Sequence, residues 1–121
     1  LKEALKGTED KLILPRACEN SRPSWFGFLI TCREGVDRNQ IVQMIEAKGV
    51  QTRMLFAGNL TKHPCFDQMR ATGKGYRIAG TLENTDRITK DTFWIGVYPG
   101  MTDEMLEVMA NAIKDAVNGV K

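Results

Sequence analysis

TFWIGVYPGMTDEMLEVMANAIKDAVNG, residues 92–119, contains a strand, a stop and a helix in succession. Phe93 to Tyr98 is an aromatic and β-branched run, which predicts a strand. Pro99-Gly100 ends it, because proline has no N–H for the ladder and the pair favours a turn. Thr102 then stands at an N-cap, with Asp103 and Glu104 suited to the positive end of the helix dipole. Met105, Leu106, Met109, Ala110, Ile113, Ala116 and Val117 form one apolar stripe at helical spacing. Met101 and Leu106 occupy hydrophobic-staple positions, and Gly119 marks the helix end. The stripe reads as core.

Upstream, the alternation continues. Residues 83–91 predict a helix that leads into this strand, and Trp25 to Arg33 predicts another strand. Phe26 and Phe28 would share one face of it, with Trp25 on the other. Asp37 and Gln40 form a capping-box-like pair before Ile41, Met44, Ile45 and Lys48, and Gly49 closes that helix. Val50 to Phe56 predicts a buried strand, and Pro64 a short helix through Arg70. Leu1 to Lys6 reads as the last turns of a helix, Lys11 to Leu14 as a short extended piece, and 16–24 as a loop. ATGKGYRIAG, 71–80, is a loop followed by an extended Tyr76–Ala79; its glycine spacing does not match a dinucleotide fingerprint. Three short strands cannot bury both faces of a sheet. The expected fold is α+β: a small, mostly antiparallel sheet with helices on one face and the other face open to solvent or another domain.

A chain of 121 residues suits one domain. A net charge of +2 without like-charge blocks gives no reason to propose nucleic acid or a membrane surface as a partner. Cys18, Cys32 and Cys65 are too few and too dispersed for a disulfide framework, which fits reduced thiols in a cytoplasmic protein. His63-x-Cys65 is the one close pair of soft ligands, and zinc normally takes four, so no metal site is expected. No nucleophile–base–orienter set is legible, so no catalytic residue is assigned. The polar tips are Asn59, in a Gly-Asn turn pair, and Arg87, a cation on a solvated helix.

Three stretches taken together carry more: PSWFGFLIT at 23–31, TRMLFAGNLT at 52–61 and NTDRITKDTFWIGVYPGMT at 84–102. They resemble the C-terminal part of nucleotide-sugar C-3 dehydratases in the DegT/DnrJ/EryC1/StrS family of aminotransferases and dehydratases. The resemblance implies the small C-terminal domain of a fold-type I pyridoxal-phosphate enzyme, so residues 1–121 would be one domain of a longer polypeptide and inactive alone. The parent would remove the C-3 hydroxyl of a CDP-linked 4-keto-6-deoxyhexose for deoxysugar and O-antigen lipopolysaccharide biosynthesis. It would use pyridoxamine or pyridoxal phosphate and a 2Fe-2S cluster, both held upstream of this segment. Its partners would be the CDP-sugar substrate, an iron-sulfur flavoprotein reductase and a second copy in a homodimer. Arg87, Phe26 and Asn59 are the substrate-binding residues it points to. ATGKGYRIAG departs from the family pattern in its small residues, so that loop is expected to be displaced. A sugar aminotransferase of the same family and a non-enzymatic α+β binding module are the alternatives.

Overall fold

The computed structural model describes residues 1–120. The sheet is built on β2 (Gly27–Cys32), where Phe28, Ile30 and Cys32 are buried and alternate with half-buried Gly27, Leu29 and Thr31. That period of two gives β2 one wholly apolar, covered face. β4 (Thr92–Gly96) lies antiparallel beside it, with Phe28 opposite Ile95 and Ile30 opposite Phe93. β1 (Leu12–Ile13) and β3 (Thr52–Met54) complete an antiparallel sheet of order β1-β2-β4-β3. The short extended piece near Lys11 is thus a fourth strand, which pairs with β2 along one edge.

α1 (Arg38–Glu46) and α4 (Asp103–Gly119) cover the apolar face. Ile41 and Ile45 from α1 and Met109, Ile113, Ala116 and Val117 from α4 join Phe28, Ile30, Phe93 and Ile95 in one core. The expected caps are present: the Asp37 carboxylate accepts from Asn39 N–H at 2.8 Å, and Thr102 Oγ1 accepts from Met105 N–H at 3.3 Å. Gly49 has φ +80, the left-handed conformation that a residue without Cβ adopts freely after a helix. The stripe on α4 runs past the core, however: Met105 is 41% exposed, although Leu106 beside it is half-buried.

The strands are shorter than the apolar runs that predict them, because a strand lasts only as long as its partner. The run from Val50 to Phe56 pairs only over Thr52–Met54, and Phe56, expected in a buried strand, is 85% exposed. Leu1–Lys6 contributes one 3-10 turn, Glu3–Leu5. The helix after Pro64 begins as a 3-10 turn, Pro64–Phe66, and continues as α2 (Asp67–Thr72). Tyr76–Ala79 joins no sheet. α3 (Glu83–Asp91) forms as predicted, buries no residue, and feeds directly into β4.

Lys11 supplies a tie that local sequence does not reveal. Its Nζ donates to the carbonyls of Val117 and Val120, each at 2.9 Å, at the C-terminal end of α4. A cation there satisfies free carbonyls and complements the helix dipole. Lys11→Met should lower stability by about 1–2 kcal/mol. A urea midpoint unchanged from the parent would show that water replaces the ammonium at no cost.

Candidate functional site

The segment after β3 turns at Gly58, which has φ +70. A Cβ on Gly58 would lie 2.9 Å from Thr89 Cγ2, so the glycine allows the loop to approach α3 closely. Asn59 follows and caps a 3-10 turn, Leu60–Lys62. Its Oδ1 accepts from Thr61 N–H at 3.1 Å and from Thr61 Oγ1 at 2.6 Å. Its Nδ2 donates to Asp86 Oδ1 on α3 at 2.7 Å, and Lys62 Nζ reaches the other carboxylate oxygen at 2.9 Å. The sequence reading places the Asn59 amide at an outward tip. The structure turns it inward, 4% exposed, because the cap and Asp86 together use both ends of the amide.

Other side chains brace the same loop. His63 Nε2 lies 2.6 Å from the Ala57 carbonyl, and the Arg70 guanidinium donates to the carbonyls of Thr61 and His63 and pairs with Asp67. Hydrogen bonds from Asn59 and Lys62 hold the Asp86 carboxyl below the usual carboxylate range. A lowered folded-state pKa means that the contribution of this contact is complete above the ordinary carboxylate value and is lost as pH falls through the lowered one. Arg87, the next residue, is exposed and belongs to none of the ion pairs among the described residues.

Phe26 lies elsewhere. It precedes β2, outside the strict alternation, and is 79% exposed rather than facing the core with Phe28. Its ring tilts against Trp94 with centroids 5.3 Å apart. The Trp94 indole fills the space over Gly27, where a Cβ would meet it at 2.6 Å. Phe26, Trp94, Arg53, Tyr98, Met105 and Val108 line a largely apolar groove of about 830 Å3 at the Gly96 end of the sheet. The structure therefore joins Asn59 to the Arg87 segment at one place and sets Phe26 beside the far end of β4. Asp86, Phe56, Arg70 and Trp94 escaped the sequence reading. Only the aromatic character of Phe56 and Trp94 hinted at them.

The residues present do not fit the implied cofactors. The N-terminus of α1 is taken by Asp37, and Asp103 and Glu104 occupy the first turn of α4, as Glu83 and Asp86 do that of α3, where a phosphate would meet like charge. An all-cysteine cluster needs four thiolates, and the chain has three cysteines. Cys32 is buried in the core, where desolvation pushes its thiol up to about 11, while Cys18 and Cys65 are exposed. Among the described residues, no His, Cys, Asp and Glu side chains gather to hold a metal ion, and no helix is long and apolar enough to cross a membrane.

The DegT/DnrJ/EryC1/StrS aminotransferase family matches residues 1–114. The chain is 45% identical over 119 residues to dTDP-4-dehydro-2,6-dideoxy-D-glucose 3-dehydratase of Saccharopolyspora spinosa, covering 97% of this chain and 24% of that protein. It is 44% identical over 117 residues to lipopolysaccharide biosynthesis protein RfbH of Salmonella typhimurium, covering 95% of this chain and 26% of that one. The chain thus spans about a quarter of the length of these relatives. Its fold matches E. coli GDP-4-keto-6-deoxy-D-mannose-3-dehydratase with bound hydrated PLP, at TM-score 0.68 and 20% identity, over 92% of this chain and 27% of that one. By sequence over nearly its whole length and by its α+β fold, the chain belongs to the DegT/DnrJ/EryC1/StrS aminotransferase family.

Proposed function

We propose that this domain is the C-terminal capping domain of a nucleotide-sugar C-3 dehydratase, and that it acts on the substrate rather than on the cofactor. The observation that carries the reading is the identity of 45% and 44% to a named 3-dehydratase and to RfbH across almost the entire chain. The substrate is a pyrimidine-nucleotide 4-keto-6-deoxyhexose, CDP-4-keto-6-deoxyglucose by the resemblance, and the product serves O-antigen lipopolysaccharide in the cytoplasm. Pyridoxamine phosphate and the 2Fe-2S cluster belong to the remainder of the polypeptide, which works as a homodimer with an iron-sulfur flavoprotein reductase.

Within this domain, Arg87 holds an anionic or polar part of the substrate in fork geometry, and Phe26 offers an aromatic face to a sugar ring. Asn59 belongs to the same set through the loop it caps. The domain alone turns over nothing: mixed with pyridoxal phosphate, it should give no stable Schiff-base band assignable to one lysine.

The test is product identity. The full polypeptide, with its reductase, an electron donor for that reductase and glutamate as amino donor, is given CDP-4-keto-6-deoxyglucose and, separately, the dTDP-sugar, and the products are weighed by mass spectrometry. Loss of the C-3 hydroxyl supports the dehydratase. An amino sugar selects an aminotransferase of the same family instead, and no change in either sugar sinks both.

The groove beside Trp94 gives a second check. Exposed Phe26, Tyr98, Met105 and Val108 form an apolar surface that the rest of the polypeptide would cover. The isolated domain should bind a hydrophobic dye or self-associate at high concentration. A strictly monomeric domain with no dye signal would count against a capping role.

A further inference from the structure

Two side chains three residues apart are treated in opposite ways. Asn59 is 4% exposed and both ends of its amide are engaged, whereas Phe56 is 85% exposed. An amide used in this way has little capacity left for a sugar hydroxyl. A bare phenylalanine on a mobile loop would be an ordinary surface residue, but this loop is braced by Asn59, His63 and Arg70, and Gly58 seats it against Thr89. The one side-chain bond from Asn59 to another element ends on Asp86, the neighbour of exposed Arg87. The bond thus ties the loop that carries Phe56, three residues before Asn59, to the helix that carries Arg87, next to Asp86.

We propose that the Asn59–Asp86 hydrogen bond is a latch that fixes this joint, so that Phe56 and Arg87 meet the sugar nucleotide as one preformed surface. Asn59 is then a positioning residue that acts through both. The inference rests on the reading of Arg87 as a substrate contact and adds Phe56 to it. Fixing the surface beforehand removes an ordering cost from binding, so the latch affects KM and leaves the chemical step alone.

The experiment exchanges the two partners in the full-length protein. Asn59→Asp alone sets two carboxylates face to face and should open the latch. Asn59→Asp combined with Asp86→Asn restores one donor and one acceptor in reverse order, and the carboxylate at position 59 still accepts from Thr61. The single substitution should raise KM roughly tenfold, with kcat within about twofold, and speed amide exchange at Thr61 and Lys62. The exchanged pair should return both KM and amide exchange toward the parent values.

Faster amide exchange with an unchanged KM would leave the contact purely structural and overturn the proposal, as would a KM that the exchanged pair does not recover despite slowed exchange. If Arg87→Ala leaves KM at the parent value, the substrate reading itself has failed and the latch proposal falls with it. The Arg87 arm thus separates the two failures.

Discussion

Phe93→Ala should remove about 3–5 kcal/mol of stability, a large share of the roughly 5–15 kcal/mol typical of a domain. Phe93 is fully buried in β4, opposite Ile30 on one side and Met54 on the other. Its ring lies in the layer between the sheet and the two covering helices. Truncation loses the transfer free energy of the ring and leaves a cavity that the two strand partners, held in register, cannot collapse to fill. Urea unfolding should show the midpoint falling with little change in slope. Val108→Ala is the control: that residue is 57% exposed on α4 and should cost less than about 0.5 kcal/mol. A loss at Phe93 no greater than at Val108 would mean that the core between sheet and helices is not packed as described.

Arg87→Ala should reduce kcat/KM for the nucleotide sugar by roughly ten- to hundred-fold in the full-length enzyme, or about 1.5–3 kcal/mol. Arg87 projects from a helix with no buried residue, it forms none of the ion pairs among the described residues, and its neighbour Asp86 is already committed to Asn59 and Lys62. A guanidinium left free in this way is available to an anionic or polar ligand. Its removal should shift stability by less than about 0.5 kcal/mol, so lost activity would not reflect unfolding. Lys90, also exposed on α3, is the matched control. Equal activity of Arg87→Ala and Lys90→Ala would reduce Arg87 to a solvated cation.

What depends on neighbours along the chain was legible in the order of the residues. The Thr102 cap of α4, the Asp37 cap of α1 and the apolar stripe of α4 from Met109 onward are all interactions within a few residues, and each is present. Their order was enough for an antiparallel sheet covered by helices, and the three quoted stretches were enough for the family. What depends on distant partners emerged only in the folded chain. The order β1-β2-β4-β3 places the last strand between the second and third, which no local period encodes. Asn59 points inward because Asp86 stands 27 positions away, and Lys11 caps α4 across 106 positions. Phe56 belonged to an apolar run and still emerged into solvent, because the ladder with β4 ends at Met54. Phe26 did not join Phe28 in the core because β2 begins only at Gly27, and its ring rests instead against Trp94 from another strand. Periodicity and capping are short-range and so are written into adjacent residues, whereas the use of a polar tip or an aromatic ring depends on which distant group the folded chain brings beside it.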